Sequence, residues 1–197
     1  MGGSGFGECW ARSYFSFLEG ASAPEEMVER AVELEMSAVS LVDRGGLYGA
    51  VRLVRAAERA GLGAMVGAEL DLAGGGRLAI LATDRPSYQQ LCRAVSRAQM
   101  AGVKGASQLE LAGLEESLEL AAGGSAEQVR DAARPRGLLE RIRHRSPADA
   151  NSRMVDPEEL DRCVVLAGGP HSPISRALLR GDRQVADRAA HALAIWY

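Results

Sequence analysis

Two lone carboxylates stand at the ends of short apolar runs in the first third of the sequence. Residues 38–42 lead to Asp43, and residues 63–68 lead to Glu69. Side chains at the carboxyl ends of parallel strands converge on one face of a sheet or barrel, so we expect Asp43 and Glu69 to share a site. Two carboxylates alone bind Mg²⁺ or Mn²⁺ loosely, whereas a zinc or multi-metal hydrolytic centre also needs nitrogen or sulfur ligands.

Few other residues in the chain offer chemistry. His171 follows a strand candidate and is a weak candidate for a metal ligand, since a lone loop histidine is more often simply exposed. Residues 74–76 are glycines without the lysine and the strand-to-helix context of a phosphate-binding loop, so we expect a hairpin turn there. A basic run could contact DNA phosphates or an acidic partner, although such a run is more commonly a solvated helix face. Its arginines are Arg134, Arg136, Arg141, Arg143 and Arg145.

The overall composition is typical of a globular domain or of part of a larger one. The 197 residues are 47% hydrophobic and 25% charged, and the net charge of -3 gives no general attraction to nucleic acid or to an anionic membrane. Three widely spaced cysteines match neither a disulfide framework nor a zinc-ligand pair, and no apolar run reaches the roughly 20 residues of a membrane helix. We therefore expect a cytoplasmic protein.

Strand and helix signals alternate along the chain. Ser22 is predicted to cap a first helix with Glu25 completing a capping box, and Asp84 is predicted to cap a later helix. The predicted strands are residues 6–11, 38–42, 63–72, 77–82 and 163–167, with the third and fourth forming an antiparallel hairpin. The first predicted helix ends near Met36, and the last begins near Asp182. Three further helices are predicted over residues 47–60, 86–100 and 173–179.

This alternation favours an α/β barrel with its helices outside. Residues 101–162 interrupt it with glycines and prolines, which predict a partly helical surface excursion that includes a helix over residues 137–144.

Several segments resemble, in order, the PHP (polymerase and histidinol phosphatase) domain at the N-terminus of bacterial DNA polymerase III alpha subunits. The similarity is greatest to the error-prone paralogue used in lesion bypass. The segments that carry it are residues 10–22 (WARSYFSFLEGAS), 41–49 (LVDRGGLYG), 67–70 (GAEL), 88–99 (YQQLCRAVSRAQ) and 163–169 (CVVLAGG).

The resemblance implies a seven-stranded (β/α) barrel whose strand ends hold two or three metal ions for phosphoester hydrolysis, but this chain departs from the family at its metal ligands. A His-x-His pair would align with Trp10 and Arg12, and a His-Asp pair with Arg44 and Gly45. Asp43 and Glu69 then remain as remnant ligands. Arginine has no lone pair for a metal, so we predict that Arg12 and Arg44 replace the metals by pairing with the two acids. The alternative is that these four residues are solvated strand ends.

The resemblance implies an incomplete PHP-type barrel. Its divisions would be a flexible N-terminus (residues 1–8), the first part of the PHP domain (residues 9–100), the variable excursion (residues 101–162) and a truncated continuation (residues 163–197). No cofactor is expected. The implied role is a structural or partner-binding scaffold within a polymerase polypeptide, with the remaining polymerase, and in some cases other replisome or lesion-bypass subunits, as partners and with weak or indirect DNA contact.

Two other functions stay open at this point. One is a metal-dependent phosphoesterase or 3'-5' exonuclease with a reduced site of Asp43, Glu69 and His171 and with Mg, Mn or Zn. The other is a non-functional gene remnant. Nothing in the sequence resembles the carboxylates of a polymerase palm domain, so we do not expect this chain alone to polymerise DNA, although the parent polypeptide would be a DNA-directed DNA polymerase.

Overall fold

The computed structural model describes residues 5–73, 75–101, 108–111, 154–155 and 157–194. At its centre is a curled sheet of five strands in the order β1-β2-β3-β4-β7, and a second, two-stranded sheet pairs β5 with β6. The strands are β1 (Gly7–Glu8), β2 (Ala38–Arg44), β3 (Gly63–Asp71), β4 (Arg77–Ala82), β5 (Glu110–Leu111), β6 (Met154–Val155) and β7 (Cys163–Leu166).

The central sheet is mixed. Strands β1, β2 and β3 are parallel, β4 runs antiparallel to β3, and β7 runs antiparallel to β4. The predicted hairpin between the third and fourth strands is therefore confirmed. Its turn uses Gly75 and Gly76 at φ 87° and 99°, a backbone region that other residues rarely adopt.

Five helices are described outside the sheet. They are α1 (Pro24–Glu33), α2 (Ala50–Ala60), α3 (Arg85–Ala101), α4 (Pro173–Leu179) and α5 (Arg183–Ala194). Together with the curled sheet they make the mixed α/β, incomplete barrel that the sequence predicts. Among the described residues, none of these helices is long and apolar enough to cross a membrane.

Local capping differs from the prediction at the first helix and agrees at the third. The capping residue of α1 is Ala23 rather than Ser22, and Glu26, not Glu25, accepts a hydrogen bond from the Ala23 N–H at 2.8 Å. Proline at the next position fixes the start of the helix there, because its ring already has a helical φ. At α3, Asp84 Oδ1 accepts the Ser87 N–H at 2.8 Å, as predicted.

Two predicted boundaries are also wrong. The first strand covers only Gly7–Glu8, although the Val42 N–H still reaches the Ala11 carbonyl at 2.8 Å. The second helix begins at Ala50 rather than at residue 47.

Alternation along the strands separates two apolar regions. On the outer face of β2, Val39 and Leu41 pack with Val28 of α1 and Leu53 of α2. On the outer face of β3 and β4, Leu70 and Ile80 pack with α3 and α5. The inner face carries the small cluster Val42, Ala79 and Leu81 with Trp10 against it. The inner face therefore holds little apolar packing near the carboxyl end of β3, where charged side chains are found.

Candidate functional site

The two carboxylates of the sequence prediction lie on opposite faces of the sheet. Strand pairing sets Arg44 beside Glu69 and Asp43 beside Ala68, so Asp43 has the outer orientation of Leu41 and Ala68. In agreement, a Cβ placed on Gly49, at the start of α2, would lie 3.2 Å from Asp43 Oδ2. The structure therefore does not bring Asp43 and Glu69 into one constellation.

Asp43 holds the loop that follows β1. Its side chain is buried, with 1% of its surface exposed, and Oδ1 accepts the Ser13 N–H at 2.9 Å and the Ser16 hydroxyl at 2.8 Å. The Ser13 hydroxyl also donates to Oδ2 at 2.8 Å. A buried carboxylate must be satisfied by such donors, so Asp43 positions the backbone of residues 13–16. No arginine is among these partners, contrary to the predicted pairing of Asp43 with a guanidinium.

Glu69 is paired with arginine, as the sequence predicted. It is also 1% exposed, and its Oε1 accepts from Arg12 Nη2 at 2.7 Å. Its Oε2 lies 3.6 Å from Arg77 Nη1, which is an ion-pair distance but too long for a hydrogen bond. The geometry at Oε1 is a short, charge-assisted hydrogen bond within the sheet's inner face.

Arg12, Arg77 and Glu69 belong to a network of six side chains, which we call the charge network. Arg77 donates to Glu19 at 2.8 Å and to Asp71 at 2.9 Å. Arg44, predicted to pair with Asp43 or Glu69, lies instead 3.2 Å from Glu19 and 3.1 Å from Asp71. The members are Arg12, Arg44, Arg77, Glu19, Glu69 and Asp71. Three guanidinium groups face three carboxylates, so the formal charge of the network is zero.

The network keeps Glu19 ionised. Partial burial alone would raise the pKa of Glu19, but the hydrogen bond from Arg77 and the charges of Arg77, Arg12 and Arg44 outweigh it, so this pKa lies below its ordinary value of 4.5. In the same way, burial opposes the charge of Arg77 while Glu19, Asp71 and Glu69 favour it, so the pKa of Arg77 is raised. Glu19 and Arg77 thus stabilise each other in their charged forms.

The remaining residues predicted for the site have other places. Trp10 packs on the inner apolar cluster, and a Cβ on Gly169 would lie 2.3 Å from its ring. Gly45 adopts φ 70° and donates its N–H to the Glu69 carbonyl at 2.8 Å. The His171 side chain is exposed, while its carbonyl accepts the Arg77 N–H at 2.8 Å. The basic run from Arg134 to Arg145 and the predicted helix over residues 137–144 lie outside the described residues.

These residues do not fit a metal centre. Arg12 and Arg77 occupy the space around the Glu69 carboxylate, and a guanidinium repels a cation and offers it no lone pair. Within the described ranges, no group of three or more His, Cys, Asp or Glu residues has the geometry to hold a metal ion. The arrangement is that of a self-neutralised ionic cluster.

Sequence reasoning missed half of the charge network. Asp71 lies two residues after Glu69 and therefore on the same face of β3, and Arg77 is its direct partner across the hairpin. The register of a hairpin follows from its turn, so the glycines of residues 74–76 contained the signal for this pair. Glu19 lies in an irregular loop, and only the resemblance segment of residues 10–22 singled it out.

The parallel strands β1, β2 and β3, with helices packed outside them and charged side chains at the carboxyl ends of β2 and β3, define an α/β domain of barrel type. The PHP domain family model matches residues 9–197, so the chain belongs to the PHP domain family.

Its similar relatives are polymerases. The error-prone DNA polymerase of Anaeromyxobacter sp. (strain K) is 53% identical over 98 residues, which are 47% of this chain and 9% of that protein. The error-prone DNA polymerase of Mycolicibacterium paratuberculosis is 42% identical over 130 residues, 60% of this chain and 12% of the relative. The chain thus spans about a tenth of the length of the curated relatives it matches.

Among solved structures, a protein of Bifidobacterium adolescentis assigned as a metal-dependent phosphoesterase is 16% identical to this chain and superposes with a TM-score of 0.44. The matched region covers 96% of this chain and 82% of that protein's chain.

Proposed function

We propose that this chain is the PHP portion of an error-prone DNA polymerase of the polymerase III alpha type, that its metal centre is degenerate, and that it acts as a scaffold in replication and lesion bypass. The observation that carries the proposal is the 2.7 Å contact between Arg12 and the buried carboxylate of Glu69. The guanidinium supplies the positive charge that this acid needs, at the strand end where a phosphoesterase of this family would hold metal.

The charge network also argues against a hydrolytic role. Metal-assisted hydrolysis of a phosphodiester needs a bound water of lowered pKa and an open coordination position. Each carboxylate of the network is already engaged by at least one arginine. An arginine stays protonated at any physiological pH and cannot act as the general base instead.

The scaffold role is supported by the proportions of the relatives. The segment that this chain matches makes up 9% to 12% of each polymerase polypeptide, so in those proteins it coexists with a far larger body. A domain without its own chemistry contributes there through its surface, and the remainder of the polymerase is the first partner to consider.

The degenerate metal centre is tested by metal analysis and a hydrolysis assay on the purified chain. After incubation with Zn²⁺ or Mn²⁺ and desalting, we expect substoichiometric metal and no Mn²⁺-stimulated cleavage of a model phosphodiester. Stoichiometric metal together with cleavage that Glu69→Gln abolishes would overturn the proposal. Glu29→Gln, which changes an exposed glutamate of α1, is the matched control.

A further inference from the structure

The loop between β1 and α1 carries two large apolar side chains into solvent. Phe17 is 82% exposed and its neighbour Leu18 is 89% exposed. We call this pair the apolar tip. An adjacent pair of exposed leucines also occurs at Leu178 and Leu179, so what distinguishes the tip is the fixed and strained backbone that presents it.

The backbone beneath the tip is fixed before any partner arrives. The Ser16 N–H donates to the Ser13 carbonyl at 2.9 Å, and the N–H groups of Glu19 and Gly20 donate to the Ser16 carbonyl at 2.9 Å. On the preceding side, Ser13 and Ser16 are hydrogen-bonded to the buried Asp43. On the following side, the Glu19 carboxylate is held by the three arginines of the charge network. The tip is therefore clamped at both ends.

Leu18 has a left-handed backbone, with φ 63°. This conformation is unfavourable for any residue with a Cβ, and glycine would adopt it without strain. Leucine in this backbone conformation raises the free energy of the folded loop. Its side chain is exposed to water, so no packing within the described part of the chain compensates for this strain. Such strain tends to be retained where a side chain must be presented to something else.

The surroundings of the tip indicate an apolar protein surface rather than nucleic acid. The guanidinium groups of Arg44 and Arg77 pair with Glu19, the residue that directly follows the tip. These arginines are neutralised, whereas binding to a phosphate backbone depends on cations available to displace counterions.

We propose that the apolar tip inserts into an apolar pocket on the remainder of the polymerase polypeptide. The relatives show that about nine-tenths of such a protein lies outside the segment matched here, which provides the partner surface. This inference rests on the proposed scaffold function and specifies where the scaffold makes contact.

The test measures binding of the chain to the error-prone DNA polymerase of Anaeromyxobacter sp. (strain K) lacking its own homologous segment. Three forms are compared: the wild-type chain, the tip variant Phe17→Ser/Leu18→Ser, and the control Leu178→Ser/Leu179→Ser. The control removes two adjacent side chains that are 55% and 82% exposed at the end of α4. We expect the wild type and the control to bind alike, and the tip variant to bind at least about tenfold more weakly, as for the loss of central apolar anchors.

The outcomes separate the two proposals. Equal binding by all three forms refutes the role of the tip and leaves the scaffold function standing, whereas no binding by any form refutes both. Circular dichroism must show the same fold in all three forms. If the shortened polymerase is insoluble alone, co-expression gives the same comparison. The wild type and the control then restore soluble polymerase and the tip variant does not, while equal restoration by all three, or by none, counts against the tip.

Discussion

Removal of Arg12 should destabilise the chain far more than removal of an exposed arginine. In Arg12→Met, Glu69 would remain almost completely buried and would keep only the 3.6 Å contact with Arg77. Breaking a buried ion pair by deleting one partner costs about 3–5 kcal/mol, because the other charge is left uncompensated. Since Arg77 still contributes, we expect the lower end of this range, about 3 kcal/mol.

Two further variants make this expectation specific. Arg30→Met breaks an ion pair with Glu33 in which both side chains are more than 60% exposed (66% and 63%), and it should cost no more than about 0.5 kcal/mol. Arg12→Met/Glu69→Leu removes both buried charges, and it should recover most of the stability lost in the single variant, because apolar packing replaces the desolvated pair.

Urea and thermal unfolding followed by circular dichroism measure these differences. For a domain of this size, a loss of 3 kcal/mol corresponds to a fall in Tm of about 6–12 °C. The reasoning fails if Arg12→Met loses no more stability than Arg30→Met, or if the double variant is less stable than Arg12→Met. Either result would mean that the charge of Glu69 does not depend on the guanidinium, and the claim that arginine takes the place of metal would lose its basis.

Four other outcomes are expected in unfolding experiments. Asp43→Asn should lower the free energy of unfolding by about 2 kcal/mol, because an amide oxygen cannot accept all three hydrogen bonds donated by Ser13 and Ser16. A decrease below about 0.5 kcal/mol would contradict the role of Asp43 in positioning residues 13–16. Leu18→Gly should raise the free energy of unfolding of the isolated chain by about 0.5 kcal/mol by relieving the left-handed strain, and a loss would show that Leu18 is not strained. Gly20→Ala should lower the free energy of unfolding by at least about 2 kcal/mol, because its Cβ would lie 2.0 Å from the Ser13 carbonyl oxygen. Gly168→Ala is the control, since its Cβ would meet open space, and it should change the free energy of unfolding by no more than about 0.5 kcal/mol. The pKa of Glu19 is lowered in the folded state, so ionised Glu19 stabilises the fold above its ordinary pKa of 4.5, and this stabilisation is lost as the pH falls through the folded pKa. Glu19→Gln should therefore flatten the decline in the free energy of unfolding below pH 4.5. Equal pH profiles for the variant and the wild type would contradict this.

The order of the secondary-structure elements and one ion pair of the candidate site could be predicted from the sequence. Hydrophobic runs, capping residues and glycines are local signals, so the β3–β4 hairpin and the helix Pro173–Leu179 could be predicted. The pairing of Glu69 with Arg12 was expected because the resemblance aligns Arg12 with a ligand position and its guanidinium can neutralise the acid.

The face on which Asp43 lies could not be predicted. A shift of one residue in strand register moves a side chain to the opposite face, and the register between β2 and β3 is not set by a short turn, because α2 separates the two strands in the chain. The positions of the two acids at strand ends therefore suggested a shared site. In the structure Arg44 is the register partner of Glu69, so Asp43 points to the opposite face of the sheet from Glu69. The same limit applies to Glu19, whose partners are brought to it from β2 and β4 by the tertiary fold.

The short parallel pairing of β5 with β6 has a consequence for how this domain can vary. Glu110 pairs with Met154 and Leu111 with Val155, so these two short strands hold distant parts of the chain at neighbouring points. The entropic cost of closing a connection between two fixed points grows slowly with its length. A parallel pair needs a connection of at least about a dozen residues, but it sets no upper limit. We therefore expect the connection between β5 and β6 to tolerate an insertion or a reporter domain with the pairing of the two strands retained.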